Sequence, residues 1–403
     1  MNVTILGSTG SIGANTLQVI AMHPERFQVF ALTAQSNLEA MLAQCVSFKP
    51  RYAVMRDPDV AAQLEQRLKK LSVDTQVLGG EDALINVASH PEVDTVMACI
   101  VGAAGLLPTL AAAEAGKRIL LANKEALVMS GALLLAAVEK NGATLLPVDS
   151  EHNAIFQCMP PDFRVGYASA AVNRVIITAS GGAFRDLPLD QLEQVTPEQA
   201  CRHPNWVMGP KITVDSASMM NKGLEIIEAS FLFGLGQDKL EVVLHPQSIV
   251  HSLVEYPDGS LLAQLGQPDM RTPIAVALAW PERIASGVQR LDLIQVGRLD
   301  FQPLCLQRYP CLRLAYDALS AGGTAATILN GANEVAVQAF LARKICFTDI
   351  PKLLEAVLSK VSSRESDHLS TVLAADQMAR DAAYSYIGSH VVAAATRELS
   401  VGD

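Results

Sequence analysis

Residues 3–22 read VTILGSTGSIGANTLQVIAM, and this stretch decides the fold. Val3–Leu6 is an unbroken apolar run of the kind expected for a strand covered on both faces. Gly7, Gly10 and Gly13 follow, and Ser11–Met22 then repeats apolar residues with a helical period. Strand, glycine turn and helix in that order open a βαβ unit. Glycines let such a turn approach a pyrophosphate, and the N–H groups at the helix start attract it. The spacing is GxxGxxG rather than the commoner GxGxxG, so its placement carries the weight. A tight turn with no ligand would use the same glycines.

Working outward, Val29–Ala34, Tyr52–Met55, Thr95–Val101, Ile119–Ala122 and Thr144–Val148 are further apolar runs. Leu38–Phe48, Asp59–Leu71, Pro108–Ala115 and Ala126–Lys140 are helical stretches between them. That alternation predicts an α/β fold with an N-terminal doubly wound, Rossmann-like parallel sheet. After Asp149 the texture changes. Val175–Thr178, Glu241–Leu244, Ser248–Tyr256 and Ser260–Leu265 predict a central α+β domain. Cys311–Leu319, Ala326–Arg343, Ile350–Val361 and Val372–Ala383 predict a C-terminal helical domain. The expected division is 1–149 for the dinucleotide, 150–280 for catalysis with a lid loop at 201–210, a 281–305 connector, and 306–403.

The 403 residues, half of them hydrophobic and 18% charged, suit a soluble two- or three-domain enzyme. A net charge of −10 argues against nucleic acid or an anionic membrane as partner. Seven scattered cysteines without a CxxC read as reduced core thiols of a cytosolic protein, not a disulfide framework or zinc site. No targeting segment is read at the N-terminus, which lacks a basic region. Thr95–Ala113 carries no charge over 19 residues, but Gly102, Gly105 and Pro108 divide it into a strand and a helix.

Chemistry concentrates in residues 145–156, LLPVDSEHNAIF, where Asp149 and Glu151 end an apolar strand. Two carboxylates about 4–5 Å apart repel by roughly 3–4 kcal/mol at an effective dielectric near 20. In extended chain residues two apart point the same way. A hard divalent cation, Mg²⁺ or Mn²⁺, would relieve the repulsion; an N-cap on a following helix is the bland alternative. In residues 214–228, Ser216, Ser218, Asn221 and Lys222 crowd donors suited to a phosphate. Glu225, three after Lys222, could complete a metal site or simply pair with the lysine. Ser180, in the turn Thr178–Gly182, offers another anion nest. Trp206 and Met208 stand in a Pro- and Gly-rich loop, as in a lid over substrate. After the second strand, Gln35-Ser36-Asn37 contains no acid to hold a ribose 2′-hydroxyl, which leans toward NADP.

Together with the glycine loop, LLANKEALV (120–128), PVDSEHNAIFQ (147–157), SGGAFR (180–185), RHPNWVMGPKITVDSASMMNKGLEIIEA (202–229) and HPQSIVHSLVEY (245–256) resemble the 1-deoxy-D-xylulose 5-phosphate reductoisomerase family. The resemblance implies NADPH- and metal-dependent isomerisation and reduction of that sugar phosphate to 2-C-methyl-D-erythritol 4-phosphate, a step of isoprenoid synthesis. It places the metal carboxylates on Asp149, Glu151 and Glu225, for Mg²⁺, Mn²⁺ or Co²⁺. Phosphate donors fall on Ser180, Ser216, Asn221 and Lys222. Ser150 and Lys124 lie near the substrate hydroxyls, His203 and Trp206 on the lid, and Met270 and His251 around the pocket. Lys124, Asp149, Glu151, His203 and Glu225 are the implied catalytic set. Thr9, Gly10, Ser11 and Ile12 match the pyrophosphate loop; Asn123, Lys124, Glu125 and Gly209 match further cofactor contacts. A homodimer in a bacterial cytoplasm, with no nucleic-acid or membrane partner, is also implied.

In that chemistry a C2 carbonyl and a C3 hydroxyl chelate one ion, the C3–C4 bond breaks and rejoins, and the resulting aldehyde accepts hydride. One departure concerns Gln35, Ser36 and Asn37, where the family often carries a basic group. Ser36→Lys is therefore expected to tighten NADPH binding; unchanged affinity in a titration would show that Ser36 does not face the 2′-phosphate. A metal-independent dehydrogenase and a non-catalytic nucleotide sensor are the rival readings.

Overall fold

The computed structural model describes residues 1–400, with side chains through 389. The last three residues of the expected 306–403 segment lie outside the described residues. Two compact units form, and neither follows chain order. The first comprises Met1–Leu127, Leu134–Val165 and Ala263–Asp292; the second comprises Val128–Leu133, Gly166–Leu262 and the chain from Leu293 onward. The expected boundaries at 149/150, 280/281 and 305/306 do not coincide with these. Helix Arg271–Ala279, unforeseen in the sequence, packs against helix Ser11–Ala21 and so joins residues 263–292 to the first unit.

The first unit is built on seven strands: β1 (Asn2–Leu6), β2 (Gln28–Ala34), β3 (Tyr52–Met55), β4 (Gln76–Gly79), β5 (Thr95–Ala98), β6 (Arg118–Leu121) and β7 (Thr144–Pro147). They pair in parallel in the order β4-β3-β2-β1-β5-β6-β7. Strand order reverses between β1 and β5, the place where open α/β sheets bind ligands. Val3, Ile5, Leu32, Val96, Met97, Ile119 and Leu120 are buried, which is why these strands read as continuous apolar runs. β4 and helix Glu81–Ser89 went unread, because β4 is a four-residue edge strand with exposed ends. The expected strand Thr95–Val101 stops at Ala98. Gly102 turns the chain with φ +77°, and a short 3₁₀ turn at Ala103–Gly105 precedes helix Leu106–Glu114. The uncharged stretch is thus strand and helix, and no described helix is long and apolar enough to cross a membrane.

A mixed sheet is ordered β11-β10-β8-β9: β8 (Arg174–Ala179), β9 (Leu240–Leu244) and β10 (Val250–Glu255) belong to the second unit, and β11 (Leu261–Leu265) begins in it with Leu261 and Leu262. β8 runs antiparallel to β10 and parallel to β9. Helices Met220–Phe233, Pro310–Ala321, Ala325–Leu341 and Asp349–Lys360 bury one apolar cluster, with Leu224, Leu314, Leu329 and Leu353 at its centre. Gly223 is fixed by packing: a Cβ there would sit 2.5 Å from that of Ala315. The expected connector is partly docked, since Gln302 and Leu244 exchange backbone hydrogen bonds of 2.9 and 3.0 Å.

None of the seven cysteines forms a disulfide among the described residues. Burial pushes the thiols of Cys45, Cys99 and Cys311 up to about 12, as inert core groups. Cys305 and Cys346 are exposed, correcting the reading of all seven as core: both lie in loops beside polar residues.

Candidate active site

In the first unit the loops leaving β1, β2, β6 and β7 emerge at the carboxyl edge of one parallel sheet. Gly7 has φ +89°, and a Cβ on it would lie 2.9 Å from the Cys99 carbonyl; one on Gly13 would lie 2.5 Å from the Gly7 carbonyl. Both glycines are therefore dictated by close backbone approach. Ser8 turns inward, its hydroxyl donating to the Thr33 carbonyl (3.2 Å) and to Gln44 (2.7 Å). Thr9, Gly10, Ser11 and Ile12 stay partly or fully exposed, and no side chain caps helix Ser11–Ala21. An uncapped N-terminus behind a glycine turn suits a pyrophosphate.

Next along that edge, Asn123 caps helix Lys124–Asn141 by accepting from Ala126 N at 2.9 Å. Its amide nitrogen donates to the carbonyls of Ile100 (2.5 Å) and Gly102 (3.1 Å) and to Glu125 (3.0 Å). Lys124 is buried, and its Nζ lies 2.5 Å from Asp149 Oδ2. Asp149 is also the N-cap of helix Ser150–Cys158: its Oδ1 accepts from Ser150 N at 2.9 Å. The cap and the charged-site readings thus both hold, one for each oxygen. The extended-chain argument for Asp149 and Glu151 fails, because Glu151 sits in the first helical turn. There it accepts the Ser150 hydroxyl at 2.5 Å. Burial raises the pKa of Asp149, but the Lys124 charge and the nearby His152, its Nδ1 at 3.8 Å, hold the carboxyl well below the usual range.

The second unit gathers the other candidates. Gly181 and Gly182 take φ +88° and +71°, and a Cβ on Gly182 would lie 2.5 Å from the Ser216 carbonyl. This presses the turn after β8 onto helix Pro210–Ser218. Ser180 Oγ lies 2.9 Å from His203 Nε2. His203 Nδ1 accepts from the backbone of Asn205 (3.1 Å) and Trp206 (2.9 Å), so the neutral ring carries its proton on Nε2 and donates to Ser180. Asn205 in turn donates to the Pro246 carbonyl (2.8 Å) and Ser248 Oγ (2.7 Å). The Trp206 ring stands 6.1 Å from that of His251. Loop 201–210 is tied down at Asn205 and Trp206, while Val207 just beyond them is 97% exposed.

At Met219, φ +63°, the chain breaks between helix Pro210–Ser218 and helix Met220–Phe233. Ser218 is consumed by that break: its hydroxyl donates to the Asp215 carbonyl (3.2 Å) and accepts from Met220 N (3.3 Å), so it is no phosphate donor. Glu225 is fully buried, accepting from Asn221 at 2.5 Å and pairing with the equally buried Lys222. Ser216 and Gly209 lie on the same helix, half-buried within it and at its N-cap.

Elsewhere in the first unit, Gln35, Ser36 and Asn37 are exposed beyond β2, and Asn37 caps helix Leu38–Phe48. Met270 is the N-cap residue of helix Arg271–Ala279 and packs, half-buried, against the core of the parallel sheet. Two contributors went unread: His152, whose i,i+3 spacing from Asp149 matters only once a helix is drawn, and Asn205, which stands between two lid residues already singled out.

Family models for 1-deoxy-D-xylulose 5-phosphate reductoisomerase match residues 3–131 and, for its C-terminal domain, 145–233. A DXP reductoisomerase C-terminal domain model matches 265–382. The 1-deoxy-D-xylulose 5-phosphate reductoisomerase of Stutzerimonas stutzeri (strain A1501) is 60% identical over 387 residues, covering 96% of this chain and 98% of that protein. A DOX-P reductoisomerase crystallised with NADPH, fosmidomycin and magnesium superposes with a TM-score of 0.93 at 49% identity, covering 96% of this chain and 98% of that one. The enzyme from Zymomonas mobilis, in complex with NADPH, gives 0.89 at 45% identity over 96% of this chain and 98% of its own. With matches of this extent laid over the parallel sheet and its carboxylates, the chain is an enzyme of the 1-deoxy-D-xylulose 5-phosphate reductoisomerase family.

Proposed function

We propose that the residues described above carry out the activity of this family: NADPH- and divalent-metal-dependent conversion of 1-deoxy-D-xylulose 5-phosphate to 2-C-methyl-D-erythritol 4-phosphate. The observation that carries the reading is the ion pair of Lys124 and Asp149 at the carboxyl edge of a dinucleotide-binding sheet. It keeps Asp149 ionised in a half-buried position, as an ion's ligand must be. Asp149 and Glu151, with Glu225, are hard oxygen donors suited to Mg²⁺, Mn²⁺ or Co²⁺. When bound, the ion supplies Lewis acidity toward the substrate's carbonyl and hydroxyl oxygens, and NADPH supplies the hydride. Thr9, Gly10, Ser11 and Ile12 hold the pyrophosphate of the dinucleotide; Asn123, Glu125 and Gly209 position its remainder.

Lys222, Asn221, Ser216 and Ser180 bind the substrate phosphate, which anchors the sugar through atoms remote from the reacting carbons. His203, donating to a lone pair of Ser180, leaves that hydroxyl's O–H free to donate to the phosphate, and Trp206, His251 and Met270 exclude water. Lys124 and Ser150 contact the substrate hydroxyls. A homodimer in the bacterial cytoplasm fits the same reading: Leu261 and Leu262 leave apolar surface half-exposed on edge strand β11, which a second copy can cover.

The test is a spectrophotometric assay. Nicotinamide absorbance is expected to fall only when the deoxyxylulose phosphate, NADPH and Mn²⁺ or Mg²⁺ are all present. A chelator should abolish turnover, and added metal should restore it. Turnover indifferent to the chelator would revive a metal-independent dehydrogenase, and no turnover with any divalent ion a nucleotide sensor.

A further inference from the structure

The turn after β2 carries no cation, yet a ribose 2′-phosphate brings close to two negative charges. The parallel register of the neighbouring strand supplies a candidate. Ala34 pairs with Met55 at the ends of β2 and β3, and the next residue, Arg56, donates its backbone N–H to the Ala34 carbonyl at 2.9 Å. Asp57 N then donates to the Gln35 carbonyl at 3.3 Å. Arg56 is therefore laced to the Gln35-Ser36-Asn37 turn by the backbone, though 20 residues separate Arg56 from Ser36 in sequence. Its side chain is 41% exposed at the carboxyl edge of the sheet.

The guanidinium is parked rather than committed. One oxygen of Glu81, in the first turn of helix Glu81–Ser89, receives both Nε (3.0 Å) and Nη2. Nη1 has no partner among the described residues. The Glu81 side chain is itself 61% exposed, and exposed ion pairs are weak, so this one yields readily to a stronger anion. A guanidinium presents a planar fork that matches phosphate geometry, which the Ser36 hydroxyl and Asn37 amide cannot. Neighbouring strands run about 4.8 Å apart, a gap that an arginine side chain spans.

Resting on the NADPH reading above, we propose that Arg56 is the residue that binds the 2′-phosphate and sets the preference for NADPH over NADH, with Glu81 as its internal competitor. Swinging from Glu81 toward the β2 turn exchanges an exposed carboxylate for a dianionic phosphate. Ser36 and Asn37 complete the set as neutral donors.

Direct titration of the full chain with NADPH and with NADH, without substrate, tests this. Arg56→Ala should weaken NADPH binding about 10- to 100-fold, the worth of a hydrogen-bonded charge pair, and leave NADH binding unchanged. Glu81→Gln should tighten NADPH a few-fold, roughly the loss of one competing surface pair. An unchanged NADPH-to-NADH ratio in Arg56→Ala overturns the proposal, as does an equal loss of both dinucleotides. So does a Glu81→Gln variant that weakens NADPH as Arg56→Ala does, since the pair would then be merely structural. Failure of the unmodified chain to bind either dinucleotide would instead strike the reading on which the proposal rests.

Discussion

Glu225→Gln is expected to cut turnover by about a thousandfold or more and to weaken Mn²⁺ binding in parallel. The side chain is fully buried, and Gln occupies nearly the same volume, so packing alone predicts little change. The charge is what goes. As a proposed ligand, the carboxylate contributes to an ion whose stabilisation of developing negative charge is worth several kcal/mol, and about 4 kcal/mol corresponds to a thousandfold. Lys222, 4% exposed, would also lose its counter-ion. Mn²⁺ titration alongside steady-state kinetics separates the two effects. A variant with normal metal affinity but lowered affinity for inorganic phosphate would show Glu225 acting only through Lys222. Unaltered kinetics would remove Glu225 from the site.

Lys124→Met is expected to cost both activity and stability. Lys124 and Asp149 side chains are 5% and 15% exposed, and breaking a buried pair by deleting one member costs about 3–5 kcal/mol. The pH dependence has a definite sign. Asp149 in the native chain is held below its unfolded value, so its contribution is present above about pH 4 and is lost as pH falls through the folded value. Without the ammonium the largest influence holding it down is gone, and the carboxyl rises from its native value. The variant is then penalised most near neutrality and progressively less in acid. Thermal melts between pH 4 and 8 should show a gap that narrows on acidification; a pH-independent gap would mean that lost packing, not charge, is responsible.

What could be read in advance was local. The strands of the parallel sheet announce themselves because residues such as Val3, Ile5, Val96 and Ile119 are covered on both faces. β4 does not, being short, at the edge and wet at both ends. Lys222 and Glu225 were legible as a pair because one helical turn separates them, and Asp149 stood out in its motif although its partner Lys124 lies 25 residues away. Three things were hidden by long-range geometry or by competing local bonds. Ser218 has the right hydroxyl but gives it to a helix break that its own sequence does not announce. Glu151 was given extended geometry because nothing in the residues fixes where β7 ends and the helix begins. Arg56 meets the β2 turn only through strand register, which no spacing along the chain encodes.

Gly105 stands directly behind Asn123, and a Cβ at 105 would come 2.9 Å from the Asn123 amide oxygen and 3.1 Å from the Ile100 carbonyl. Asn123 grips the Ile100 and Gly102 carbonyls with one end and the helix start bearing Lys124 with the other. Two separate turns are thereby riveted into one plate, with no slack for even a methyl group. Any side chain at residue 105 would therefore have to displace one of these groups. A change at residue 105, which lies in neither the proposed metal set nor the phosphate set, would be transmitted mechanically to the ammonium beside Asp149.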